Sequence, residues 1–223
     1  MIRLILLLMS IWSFRTQAEY SECVIDISHY QKEIDFAKIK NDSIVAVIHK
    51  ATEGKTYVDR NYYERRIEAE EEGLLWGAYH FANKGNPIGQ ADHFLNVVGD
   101  TESILLVLDL EENRGNNMSP DEAEVFVKRI EERTGRLPLM YGSRIFLKAY
   151  NSEILNKCKL WIASFTSNEE PKLPPHRDSW VLWQYTNGEV GGTPRGVDGV
   201  TGFCDRDRYN GTAEELIDLW PNL

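Results

Sequence analysis

The chain has 223 residues, 25 Lys+Arg against 35 Asp+Glu, and a formal net charge of −10. Hydrophobic residues at 42% and charged residues at 27% are ordinary globular usage, which excludes a wholly disordered or collagen-like chain. The acidic balance argues against a nucleic-acid binder, which needs clustered Lys and Arg for phosphates, and against a protein held on anionic lipid by charge.

Arg3 precedes an apolar stretch of 11 residues from Leu4 to Phe14, and Thr16-Gln17-Ala18 closes it with a small residue. This is the pattern of a secretory signal peptide cleaved after Ala18, an uncleaved anchor being the alternative. The stretch is shorter than the ~20 apolar residues of a spanning helix. Residues 1–18 are therefore expected to be removed and 19–223 to form one exported domain, free of the membrane. Losing Arg3 and Arg15 takes the charge from −10 to −12. Cys23, Cys158 and Cys204 form no Cys-x-x-Cys or metal-ligand spacing, so no metal or redox cofactor is expected. They read first as small buried hydrophobes.

Short apolar runs follow in order: Cys23–Ile27, Ile44–Ile48, Leu74–Phe81, Ile104–Leu110, Leu137–Tyr141, Leu160–Ala163, Trp180–Tyr185 and a weaker one near Val200–Asp205. Near-continuous apolar runs suit strands covered on both faces, as in a parallel sheet. The earlier gaps carry helical signals. Asn61–Glu72 is a charged helix closed by Gly73. Asn86-Pro87 opens the next, with Pro at the first helical position. Ser119-Pro120-Asp121-Glu122 is a capping box whose helix stops at Gly135. Ser143 caps a shorter helix through Ala149. Thr166–Ser179 holds three prolines, and Asn187–Gly202 is glycine-rich, so neither reads as a helix. The pattern predicts an α/β chain forming a single irregular (β/α)-type barrel, with about five βα units followed by three strands with few helices. An open doubly wound sheet is the rival, without a glycine-rich dinucleotide fingerprint to support it.

In such barrels the site lies at the C-terminal ends of the strands. Asp26 interrupts the first apolar run. The fourth runs from Leu105 through Leu108 straight into Asp109-Leu110-Glu111-Glu112. Residues two apart on a strand share a face, so Asp109 and Glu111 are expected to point together and Glu112 away. The last run ends in Cys204-Asp205. Carboxyl groups crowded on one face hold each other's protons at different pH values, which suits the acid and anion roles of glycoside hydrolysis. Helix capping or ion binding is the plainer reading of such a pair. Tyr79, Phe81, Tyr141, Trp161, Trp183 and Tyr185 lie at or near strand ends, where rings can stack on sugar faces or simply fill the core. His80 also sits at a strand end and reads as structural. No Gly-x-Ser-x-Gly elbow supports a serine hydrolase.

Seven motifs then fall in order: Asp26-Ile27-Ser28-His29-Tyr30-Gln31, Lys50-Ala51-Thr52-Glu53-Gly54, Gly77-Ala78-Tyr79-His80-Phe81-Ala82, Leu106-Val107-Leu108-Asp109-Leu110-Glu111, Leu160-Trp161-Ile162-Ala163, Trp183-Gln184-Tyr185 and Asp205-Arg206-Asp207-Arg208-Tyr209-Asn210-Gly211. Together they resemble glycoside hydrolase family 25, the N-acetylmuramidase lysozymes, over almost the whole span from 23 to 211. The resemblance implies a flattened, irregular barrel and cleavage of the MurNAc-β-1,4-GlcNAc bond of peptidoglycan, and the Asp109-x-Glu111 spacing adds the expectation of a retaining mechanism. Glu111 corresponds to the general acid and Asp109 to its partner carboxylate, while Asp26 and Asp205 line the groove. Either Asp109 or the substrate's own acetamido group is the nucleophile. Tyr79, Phe81, Tyr141, Trp183 and Tyr185 are the expected substrate-binding aromatics, and a monomer without cofactor is expected. The last motif departs from the family's usual Val-Asp-Leu-Asn: the key Asp205 is kept, Cys204 replaces an aliphatic residue, and Arg206 and Asp207 are expected at the groove's edge. First and last strands adjoin in a closed barrel, so a Cys23–Cys204 bridge is the alternative to free thiols. Hydrolysis of another N-acetylated glycan such as chitin, or glycan binding without catalysis, are the competing functions.

Overall fold

The computed structural model describes residues 20–223; the expected signal peptide at 1–18 lies outside the described residues. Nine strands form one sheet: β1 (Ser21–Ile27), β2 (Ala46–Glu53), β3 (Tyr57–Val58), β4 (Leu75–Phe81), β5 (Leu105–Asp109), β6 (Leu139–Ser143), β7 (Leu160–Ala163), β8 (Leu182–Thr186) and β9 (Asp205–Tyr209). The order β1-β9-β8-β7-β6-β5-β4-β2, with β2 pairing back to β1, closes an eight-stranded barrel, and β3 is a short appendage on β2. Seven barrel strands are parallel, and β9 runs antiparallel to both its neighbours. The open-sheet alternative is thereby excluded.

The strand expected near Val200–Asp205 begins only at Asp205. Gly199 (φ 91°) and Gly202 (φ 96°) adopt left-handed backbone there, which turns the chain rather than extending it. Asp205 therefore opens its strand instead of ending it. Because β9 runs in reverse, its first residue still lies at the end of the barrel where the parallel strands finish.

Helices α1 (Phe36–Asn41), α2 (Tyr62–Glu71), α3 (Pro87–Val98), α4 (Pro120–Thr134), α5 (Arg144–Leu147) and α6 (Glu153–Lys157) fill connections between strands, and α7 (Ala213–Leu219) follows the last strand. The capping box of α4 is complete, and Gly135 (φ 75°) ends the helix in the left-handed conformation. Ser143 caps α5 as expected, but the helix stops at Leu147 rather than Ala149. The proline-rich and glycine-rich connections on either side of β8 contain no helix.

Alternation along each strand builds two cores. Ile25, Val47, Trp76, Leu106, Leu108, Met140, Ile162 and Trp183 belong to the layer under the helices. Val24, Ile48, Leu105, Val107, Leu139, Trp161 and Leu182 pack in the barrel interior, joined by Leu216, Trp220 and Leu223 from α7 and the tail after it. That tail closes the N-terminal end of the barrel. Trp220 donates its indole N–H to the Trp76 carbonyl at 3.1 Å. Gly77 makes room for it: a Cβ there would meet Trp220 Cζ2 at 3.3 Å and Ile48 Cγ1 at 3.1 Å.

Cys23, Cys158 and Cys204 are free and buried. Asp26 pairs with Asp205 in the β1–β9 register. Cys23 lies on one side of that pair and Cys204 on the other, four strand steps or about 13 Å apart. A disulfide needs Cα atoms within about 7 Å, so the antiparallel register rules out the Cys23–Cys204 bridge.

Candidate active site

The inward-facing residues at the C-terminal end of the barrel are polar where those below are apolar. Asp26, Asp109, Glu111 and Asp205 line a cavity of about 200 Å³ there, walled by Tyr79, Tyr141, Trp161, Phe165 and Gln184. Asp109 is the last residue of β5, and Glu111 projects from the open chain beyond it. The two share the cavity as their spacing requires, while Glu112 does not line it. A wider groove of about 780 Å³ adjoins, bordered by Glu112, Asn117, Ile145, Phe146 and Tyr150, and Glu111 lines this groove too.

Four of the predicted aromatics separate by face. Tyr79 and Tyr141 reach the cavity. Trp183 and Tyr185 are fully buried in the outer layer, because they flank the inward-facing Gln184 on β8. The Arg208 guanidinium lies 4.8 Å from the Trp183 ring and 4.4 Å from the Tyr185 ring. They are scaffold rather than cavity wall. Phe81, the fifth, lies outside the cavity lining, 4.7 Å beneath the Lys50 ammonium. Lys50 also pairs with Glu53 at 2.7 Å. His80 is buried outside the cavity, bonded to Thr52 at 2.8 Å and Gln90 at 3.1 Å; burial lowers its pKa to about 3.

Sequence reasoning missed Gln184 and Phe165, and left Trp161 out of the substrate-binding set. Gln184 carried a signal: an amide flanked by Trp183 and Tyr185 in an apolar strand demands a buried partner. It has two. Its Nε2 donates to Asp26 Oδ2 at 2.7 Å, and its Oε1 accepts from the Tyr141 hydroxyl at 2.7 Å. Arg206 and Asp207 do not sit at the groove's edge. Alternation sends Arg206 outward to Asp42 at 3.1 Å and Asp207 inward, fully buried, to accept from Trp161 Nε1 at 2.7 Å.

Electrostatics favour protons at this end. Burial raises the Asp26 carboxyl well above its ordinary value, with Asp205 and Asp207 adding to the effect. Burial and then the Glu111 charge do the same at Asp109, with Lys50 opposing. Asp205 is raised to about 7 by burial and by Glu111. Glu111 is raised by desolvation although the residue reaches the open rim. The Tyr141 hydroxyl lies 3.5 Å from Glu111 Oε1. Donated there, its single proton would favour the Glu111 carboxylate, but at 2.7 Å the Gln184 Oε1 is the better acceptor and cannot itself donate. Glu111 can then bond to Tyr141 only by donating, which requires the protonated acid. Among the described residues, no three of His, Cys, Asp or Glu are grouped to hold a metal ion.

A parallel-rich barrel with carboxyl groups crowded at its C-terminal mouth is the architecture of a glycoside hydrolase, and this protein is one. The family model for glycosyl hydrolases family 25 matches residues 25–192, and the chain belongs to that family. Lysozyme M1 of Streptomyces globisporus is 30% identical over 216 residues, 89% of this chain and 71% of that protein. The uncharacterized protein YegX of Escherichia coli strain K12 is 33% identical over 220 residues, covering 92% and 75%. The crystal structure of a bacterial lysozyme from Streptomyces coelicolor superposes with a TM-score of 0.77 at 30% identity, covering 91% of this chain and 98% of that one. A muramidase from Acremonium alcalophilum gives 0.75 at 27%, covering 89% and 98%.

Proposed function

We propose that this enzyme is a lysozyme that cleaves the β-1,4 bond between N-acetylmuramic acid and N-acetylglucosamine in peptidoglycan. The observation that carries the reading is the set of four carboxyl residues, Asp26, Asp109, Glu111 and Asp205, around one cavity. The lysozyme and muramidase relatives supply the substrate class. Glu111 is the general acid. It borders both the cavity and the adjoining groove, so a sugar seated over Asp109 would leave its partner on the groove side of the acid. Glu111 protonates the glycosidic oxygen and then activates water, and the product retains its anomeric configuration. The substrate acetamido group attacks from within, oriented by Asp109, with Asp26 and Asp205 fixing the sugar. Tyr79 and Tyr141 offer ring faces to it. Residues 1–18 direct export, and 19–223 are the catalytic domain, acting as a monomer on wall glycan outside the membrane. Among the described residues no helix is long and apolar enough to cross a membrane.

Digestion of purified peptidoglycan, with mass spectrometry of the new reducing ends, tests the reading. Muramic acid ends are expected. Glucosamine ends would overturn the bond assignment, and an inverted anomer would overturn retention. A covalent sugar trapped on Asp109 would replace the acetamido by Asp109 as nucleophile.

A further inference from the structure

Across the barrel mouth from the groove, two aromatic rings stand exposed with no part in the mechanism above. The groove is bordered by the connections after β5 and β6, and in the closed ring of strands β9 and β1 lie four steps away from them, on the far side. Tyr30, in the turn after β1, is 77% exposed, and Phe203, just before β9, is 62% exposed. The four-carboxyl cavity lies between these rings and the groove. Single exposed rings are common and need no explanation, but these two are braced. Ser28 N–H donates to Gln31 Oε1 at 2.9 Å and Gln31 N–H to the Ser28 carbonyl at 3.2 Å, which fixes the turn that carries Tyr30. Gln31 Nε2 donates to the Phe203 carbonyl at 3.1 Å, and Thr201 N–H to the Glu33 carbonyl at 3.1 Å, so the two connections form one rim. The Tyr30 ring rests against His29, with 4.3 Å between centroids. His29 is anchored in turn by the fully buried Asp59, whose Oδ2 accepts the His29 backbone N–H at 2.9 Å and lies 2.8 Å from Nδ1.

We propose that Tyr30 and Phe203 form a second glycan subsite, which takes the strand on the non-reducing side of the sugar in the cavity. The identity and direction of the strand rest on the lysozyme reading. A strand cut within its length must leave the cavity on both sides. Glu111 borders the groove, so the leaving portion lies there, and the opposite rim is left for the portion that keeps the new reducing end. A sugar lays its C–H face on an aromatic ring while its hydroxyls stay in water, and the amphipathic Tyr ring suits such a half-wet contact. A chain of net charge −10 gains little from charge steering toward an anionic wall polymer, so affinity has to come from contacts of this kind. A ring already held in place loses little freedom on binding, which makes its contact worth more. The rim is remote from the bond that breaks, so it holds ground state and transition state alike and acts on KM rather than on kcat.

Binding is tested first, in Glu111→Gln so that the ligand stays intact. On titration with the alternating GlcNAc–MurNAc hexasaccharide, the ring NMR signals of Tyr30 and Phe203 should shift, while those of Tyr63, an equally exposed ring on α2, stay in place. Unmoved Tyr30 and Phe203 signals at saturation would overturn the proposal. The GlcNAc hexasaccharide, run in parallel, separates the subsite from the lysozyme reading. Shifts with that ligand alone would keep the subsite and count against peptidoglycan as the substrate; shifts with neither would overturn the subsite, and the digestion described above still decides the lysozyme reading. Kinetics come second. Tyr30→Ala combined with Phe203→Ala should raise KM for peptidoglycan about tenfold, roughly threefold for each ring, with kcat within about twofold. Tyr30→Phe, which keeps the ring, and Tyr63→Ala should leave KM unchanged. An unchanged KM in the double variant, a fall in kcat as large as the rise in KM, or a loss in Tyr30→Phe equal to that of the double variant would each overturn it.

Discussion

The two ends of the barrel use the same eight strands for opposite purposes. At the C-terminal end the inward positions are Asp26, Tyr79, Asp109, Tyr141, Gln184 and Asp205 around open space. At the N-terminal end they are Val24, Leu105, Leu139 and Leu182, sealed by Leu216, Trp220 and Leu223. One end gathers groups that repel each other or wait for a partner; the other is filled with apolar side chains. Crowding carboxyl groups in low dielectric costs stability, and close packing at the far end offsets it. The difference teaches that substitutions at the mouth should alter activity with little loss of fold, and substitutions at the plug the reverse.

Five measurements test that division, in descending order of expected effect. Glu111→Gln should lower kcat on peptidoglycan by about 10²–10⁴, the contribution of a positioned acid, with an unchanged melting temperature; substantial residual turnover would remove Glu111 from the acid role. Trp220→Ala should cost about 3–5 kcal/mol in chemical denaturation, while kcat/KM well below the melting temperature stays within about twofold. A loss of activity as large as its loss of stability would break the comparison. Tyr141→Phe should lower kcat/KM about tenfold and move its alkaline limb to lower pH, because Glu111 loses the acceptor of its proton. A limb moved upward would mean that Tyr141 donates to Glu111 instead.

The fourth measurement concerns pH. Asp205 is neutral in the fold up to about 7 but ionises near 3.8 when unfolded. Its contribution to stability is therefore full below the unfolded value and lost as pH rises through about 7. The wild-type protein should melt at higher temperature in mildly acidic than in mildly alkaline buffer, and Asp205→Asn should narrow that gap by about 2–4 °C for each kcal/mol recovered. The smallest effect is expected at the rim, where Phe165 is 44% exposed: Phe165→Ala should raise KM about threefold, roughly the worth of one ring contact, and leave kcat and melting unchanged.

Much of this was legible in the sequence, for identifiable reasons. Asp109 and Glu111 stood out because four apolar residues run straight into acid–apolar–acid. The capping box at Ser119 and the stop at Gly135 mark α4 without any tertiary information. The same reading could have found α7, since Thr212 and Glu215 form a second capping box. What stayed hidden depends on direction and face. Nothing local in Asp205-Arg206-Asp207 announces a reversed strand, so Asp207 was placed at the groove's edge instead of beneath its floor. Trp183 and Tyr185 look like sugar platforms until alternation turns them outward and Gln184 inward. The plug is a contact between the chain's last residues and the start of β4, which no periodicity encodes.

The reversed strand also fixes when the site can exist. Ser21, at the start of β1, bonds to Gly211, 190 residues away, and β9 must slot between β1 and β8 before the ring closes. Asp26 comes from the first strand to be synthesised, Asp205 and Asp207 from the last. A ribosome that has released only the first eight strands therefore holds a chain with its acids unassembled. Contacts of such long sequence separation form late and slowly, so the hydrolase acquires its complete set of carboxyl groups only after nearly all of the chain is free.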